Sequence, residues 1–115
     1  VKKSPSIFAQ LCKQSGLPEP VAEYKFHAVR KWRMDYAWPE HRVALEVDGG
    51  VWTGGKHGRG SGIVKDQEKG NHAACMGWVV IRCVPKDLHS AATFAFLKQA
   101  MKVNAKRAAV IHNDE

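Results

Sequence analysis

Between Arg42 and Val47 the chain is almost continuously apolar, and it then turns abruptly to Asp48, Gly49 and Gly50. A strand of this kind has little polar face to offer water, so it belongs inside a sheet with both faces covered. The residues around it supply the other layers. On the N-terminal side, Val21–Val29 and Trp32–Trp38 carry the aromatic and β-branched residues of strands, and Pro39-Glu40-His41 makes the turn into the apolar run. In the second of these strands, strict alternation sets Trp32, Met34, Tyr36 and Trp38 on one face and Arg33, Asp35 and Ala37 on the other. On the C-terminal side, Ile63–Met76 reads as a helix closed by Gly77, and Trp78–Val84 as a fourth strand stopped by Pro85. A first helix over Ser4–Gln14, capped by Ser4 or Ser6, precedes the strands. A last helix starts at Asp87 or Ser90, carries Phe94, Leu97, Met101 and Val103, and frays into a polar tail. Three sequential strands form a meander, and the crossover helix lets strand four join in parallel. The expected architecture is α/β, in the order αβββαβ plus a final helix, with a mixed four-stranded sheet flanked by helices.

A chain of 115 residues with 44% hydrophobic content suits a single domain, residues 1–115, with a real core. Its net charge of +7 and isoelectric point near 9.5 favour a polyanionic partner, of which nucleic acid is the commonest. Cys12, Cys75 and Cys83 are odd in number and contain no CxxC pair, which argues against a disulfide framework or a zinc site and for a reducing compartment. Val1-Lys2-Lys3-Ser4 has no apolar stretch behind its lysines, and no segment has the length of a membrane span. The expectation is a cytoplasmic protein with no membrane partner.

Three carboxylates cluster at strand ends. Asp35 interrupts an aromatic strand, while Glu46 and Asp48 close the apolar one. Taken singly, two of them have a structural reading: Asp35 pairing with Arg33 or Arg42, and Asp48-Gly49 forming a turn. Taken together, a hairpin through Pro39 brings Asp35 and Glu46 side by side. Two anions held close repel each other, and an oxygen-preferring cation such as Mg²⁺ or Mn²⁺ relieves the repulsion. Such an ion activates water and neutralises charge developing on a phosphate. The stretch Gly49–Gly62 holds most of the chain's ten glycines together with Trp52, Lys56, His57 and Arg59, a composition suited to a phosphate-binding loop. His57 suits protonation of a leaving oxygen as well as ordinary solvation, and Trp52 suits stacking on a base. His27, Arg30, Lys31 and Arg33 make a second basic cluster that fits either phosphate contact or plain surface charge.

Asp35 followed by Glu46-Val47-Asp48 resembles the PD-(D/E)XK nuclease superfamily, with its restriction-endonuclease-like core. The run from Arg33 to Trp52 is similar to the very-short-patch-repair endonuclease branch and to small phage and bacterial nucleases ending in E-[VI]-[DE]-G-G. The likeness continues through Lys65-Asp66-Gln67-Glu68-Lys69 and Gly77–Arg82, covering about Glu23 to Val84. It implies a Mg²⁺- or Mn²⁺-dependent DNA endonuclease of a bacterial or phage-infected cell. Asp35, Glu46 and the Val47 carbonyl would hold the metal, and Lys56, Arg59, Arg30, Arg33 and Trp52 would contact DNA. Asp48 departs from the family, standing where a lysine is usual. It would then be a further ligand or orient the attacking water. The positive charge falls to the following helix, to Lys69 first and Lys65 second, four residues apart on one face. A resolvase acting on branched DNA would call for a homodimer. A non-catalytic DNA-binding module on the same scaffold, its lysine lost to Asp48, is the alternative from another functional class.

Overall fold

The computed structural model describes residues 6–49 and 60–113. Its elements run α1 (Ile7–Gln14), β1 (Val21–Lys25), β2 (Arg33–Trp38), a 3₁₀ turn (Pro39–His41), β3 (Val43–Val47), α2 (Gly60–Cys75), β4 (Val79–Cys83), a second 3₁₀ turn (Pro85–Asp87) and α3 (Ala91–Asn113). The sheet is four-stranded in the order β1-β2-β3-β4. Its first three strands form an antiparallel meander, and β4 lies parallel to β3 after the α2 crossover. The expected α/β architecture with a mixed, helix-flanked sheet is therefore the observed one. Among the described residues no helix is long and apolar enough to cross a membrane.

Strand β3 explains the layering. Val43 and Leu45 face a core shared with Phe8 and Cys12 of α1, Trp38 of β2, and Phe94, Leu97 and Ala100 of α3. Ala44 points the other way, into a smaller core with Phe26, Met34, Ala37, Trp78 and Ala73 of α2. Both faces of the strand are thus covered, and Val43, Ala44 and Leu45 are wholly buried. Ser6 caps α1 by accepting from the Ala9 N–H, and Ser90 Oγ does the same for α3 from the Thr93 N–H.

Four expectations from sequence need correction. Strand β1 ends at Lys25 rather than Val29, because the His27 ring accepts the Val29 and Arg30 N–H groups and closes a turn there. The single-face reading of Trp32, Met34, Tyr36 and Trp38 fails: Tyr36 and Trp38 join the α1/α3 core, whereas Met34 and Trp32 join the α2 core. The switch coincides with Glu23, which the register sets between the pairs Ala22↔Tyr36 and Tyr24↔Met34 and whose φ is +55°. A left-handed residue in a strand breaks the alternation of its neighbours, at a cost of about 1 kcal/mol or more. Arg42 lies outside β3 for the same reason, with φ +54°. Finally, α3 continues helically to Asn113, ten residues past Val103, the last residue assigned to it from sequence.

Asn104 pins that helix. Its Nδ2 donates to the carbonyls of His41, Arg42 and Gly77, joining α3 to the turns entering β3 and β4, while Oδ1 accepts from Arg107. Asn104→Ala is expected to cost about 1 kcal/mol in chemical denaturation, since it strips one part-buried and two exposed carbonyls of a shared donor. Asn104→Asp should cost at least as much, because a carboxylate sets acceptors against acceptors.

Candidate metal and phosphodiester site

Alternation along β3 directs Glu46 to the α2 side of the sheet, beside Ala44 and away from the Leu45 core. Glu46 is buried, with 8% of its surface exposed, a position that demands compensation for a carboxylate. Lys69 of α2 supplies it, its Nζ donating to Glu46 Oε1 at 2.5 Å. The β2–β3 pairing runs through Tyr36↔Leu45, so the next position along places Asp35 opposite Glu46. The Asp35 carboxylate accepts the Val47 N–H at 2.7 Å, doing for the end of β3 what a ladder carbonyl does farther back. Asp35 thus pairs with neither Arg33 nor Arg42. Arg33 binds Glu23, and the Arg42 guanidinium lies over the Trp78 ring.

Asp48 extends the parallel ladder through its N–H to the Cys83 carbonyl, and its side chain pairs with Arg82 of β4 at 3.2 Å. Gly49 N–H turns back onto the Val47 carbonyl. Asp48 therefore has both a turn role and a cationic partner, and Arg82 is a site residue that sequence reasoning passed over. Its signal was available: a lone arginine inside the apolar run Val79–Cys83, in register with Glu46. Lys65 lies one turn before Lys69 on α2 and is exposed. Arg30 pairs with Glu68 of α2 at 2.8 Å and stacks over Trp32. Trp52, Lys56, His57 and Arg59 lie outside the described residues.

The electrostatics follow from burial. Glu46 is pushed above the usual carboxylate range first by desolvation and also by the charge of Asp35, while Lys69 pulls it back only in part. A folded-state value above the unfolded one means that the penalty of ionised Glu46 is absent at low pH and grows as pH rises through the folded-state value. The stability of wild type relative to Glu46→Gln should therefore fall as pH rises from about 4.5 toward neutrality. Denaturant midpoints at several pH values check this, and parallel curves would refute it.

As a donor set, two carboxylates on adjacent strands beside the Val47 carbonyl, which already accepts from the Gly49 N–H and keeps a second lone pair, suit a hard divalent cation that keeps several of its waters. Among the described residues no three Asp, Glu, His or Cys side chains come close enough to enclose an ion by themselves. An ion here would be held partly by water or substrate, with Asp35 and Glu46 offering the protein oxygens.

Comparison with known proteins finds two relatives in Mycobacterium tuberculosis, each described as an uncharacterized protein: MT2308 of strain CDC 1551 / Oshkosh and Rv2248 of strain H37Rv. Each is 29% identical over 75 residues, covering 64% of this chain and 26% of the relative. The matched stretch is thus roughly a quarter of the length of these relatives. No family model matches the chain. No solved structure matches it either.

Proposed function

We propose that the chain is a metal-dependent endodeoxyribonuclease of the PD-(D/E)XK type, hydrolysing DNA phosphodiester bonds at the face formed by Asp35, Glu46 and Lys69. The observation that carries this reading is the Lys69–Glu46 contact. Asp48 removes the cation expected beside the second carboxylate, and Lys69 of α2 brings one to Glu46 from elsewhere in the chain.

Asp35, Glu46 and the Val47 carbonyl would hold Mg²⁺ or Mn²⁺, which when bound supplies an acidified water and charge neutralisation at the phosphate. The protein's own groups do the rest. Lys69 favours the ionised form of Glu46 and aims it, and its second role is to attract a phosphate oxygen as charge develops there. Arg82 pairs with Asp48 and offsets its charge. The water oxygen bonds to phosphorus as the bond to the leaving oxygen breaks, and that oxygen takes up a proton. The net basic charge of the chain favours DNA as the polyanion.

A non-catalytic DNA-binding module is the second reading. It is favoured by the engagement of Asp35 with the Val47 N–H and of Asp48 with Arg82, which gives both carboxylates structural work. Incubation with supercoiled, linear, single-stranded and four-way-junction DNA, in Mg²⁺, Mn²⁺ or EDTA, separates the two. Cleavage that EDTA stops supports the nuclease. DNA binding without cleavage of any substrate in either metal would establish the binding module instead. Preference for the junction, with a dimer in solution, would point to a resolvase.

A further inference from the structure

Helix α2 is thinly attached to the sheet. Residues 62–68 are exposed, Lys69 and Gly70 are half-buried, and of the described side chains in the helix only Ala73 is buried. So little apolar contact leaves polar ties to decide how the helix is rotated and how far it slides, and with it where Lys69 sits. Two such ties reach the turn between β1 and β2. Glu68 pairs with Arg30, and His72 Nδ1 lies 3.2 Å from His27 Nε2. Glu68, Lys69 and His72 share one strip of the helix, so the ties fall on either side of the lysine along its axis.

The direction of the histidine bond follows from the backbone. His27 Nδ1 accepts from the Val29 and Arg30 N–H groups at 3.1 and 2.9 Å, and a backbone N–H can only donate. The His27 proton is therefore on Nε2, which donates to His72 Nδ1. The turn itself fixes the His27 ring, and Trp32 packs within 5.2 Å of one ring centroid and 5.0 Å of the other. A metal shared by the two rings would need the His27 Nε2 lone pair, which the two backbone donors on Nδ1 disfavour. Protonating either ring would place a hydrogen on a nitrogen that must accept. The charged groups around the pair are Arg30 on the turn, Glu68 and Lys69 on α2, and Asp35 and Glu46 beyond Lys69 on β2 and β3.

We propose that His27 and His72, with the Arg30–Glu68 pair, are positioning residues that hold Lys69 against Glu46, and that acid releases this hold. The proposal rests on the nuclease reading for its functional meaning, but the placement of Lys69 is measurable without DNA.

The experiment is competitive amine labelling of the full chain, comparing Lys69 with exposed Lys65 in the same digest so that the pH dependence of the reagent largely cancels. His72→Ala should raise the Lys69:Lys65 ratio about fivefold, the factor equivalent to one neutral hydrogen bond. His72→Asn should restore the wild-type ratio, because its Oδ1 replaces Nδ1 as an acceptor that does not titrate. On acidification the ratio should rise more in wild type than in His72→Asn, where protonation of Glu46 alone is left to loosen Lys69. An unchanged ratio in His72→Ala, or an equal rise in His72→Asn, overturns the proposal. If His72→Ala does not fold, Glu68→Ala removes the other tie, and an unchanged ratio there overturns it as well. Cleavage assays on Lys69→Met run alongside. Full cleavage by that variant with a changed labelling ratio in His72→Ala would overturn the nuclease role of Lys69 and leave the positioning intact. Lost cleavage with an unchanged ratio would do the reverse.

Discussion

On the proposed nuclease reading, Asp35→Asn and Glu46→Gln are each expected to lower metal-dependent DNA cleavage by about a thousandfold or more, while the protein stays folded. The size follows from chemistry: a metal-held carboxylate contributes several kcal/mol of charge stabilisation in the transition state, and each 1.36 kcal/mol is a factor of ten. The choice of amides matters. Asp35 accepts the Val47 N–H, so Asp35→Ala would leave that donor unmatched at the end of β3, at about 1–3 kcal/mol of stability. Asparagine keeps an oxygen for Val47 and removes only the charge. Glutamine likewise offers Lys69 an oxygen in place of the Glu46 carboxylate. Single-turnover cleavage of supercoiled plasmid, read beside thermal unfolding, separates the two contributions. Cleavage at the wild-type rate by either amide variant would end the assignment of these carboxylates as metal ligands.

The largest effect on stability should come from Trp38→Ala, at about 3–5 kcal/mol. Trp38 is 2% exposed at the centre of the α1/α3 core, edge-on to Phe8, with Phe94 and Leu97 closing the same cluster. Its indole N–H donates to the Pro18 carbonyl at 2.7 Å, fastening the segment between α1 and β1 to the sheet. Alanine removes the ring and this bond together. A domain whose whole stability is of order 5–15 kcal/mol would be left close to its limit. Trp38→Phe retains most of the packing and should lose a much smaller amount, chiefly the Pro18 bond. Urea denaturation of the three proteins measures the series, and an alanine variant within 1 kcal/mol of wild type would contradict the packing described, since a rigid core cannot refill a cavity of that size.

Much of this was legible in the residues because β3 is so constrained. An apolar run bounded by Pro39 and Gly49, followed by a helical stretch and a second apolar run, leaves few arrangements other than a buried strand with a parallel neighbour. Asp35 and Glu46 were readable for the same reason, since charge at the end of such strands calls for an explanation. The nearness of Lys69 to Glu46 followed only from the resemblance, in which Asp48 stands where a lysine is usual. What escaped were effects that depend on a partner distant in sequence or on one unusual dihedral. The Arg82–Asp48 pair spans two strands, and the His27–His72 bond joins residues 45 apart. The change of face between Met34 and Tyr36 goes with Glu23, a residue on the neighbouring strand whose left-handed conformation no composition rule suggests.

The alternation along β3 also bears on what happens when folding goes wrong. Leu45 and Glu46 are adjacent, yet one belongs to the main core and the other to the charged face. Slipping the β2–β3 register by a single residue would exchange their environments, driving a carboxylate into the Phe8 and Leu97 layer and putting leucine before Lys69. No partly correct pairing can keep the core and spoil only the acidic face, or the reverse. Misassembled copies would thus lack the paired carboxylates altogether. For a protein proposed to cut DNA, that couples toxicity to correct folding: only the fully native chain would be armed.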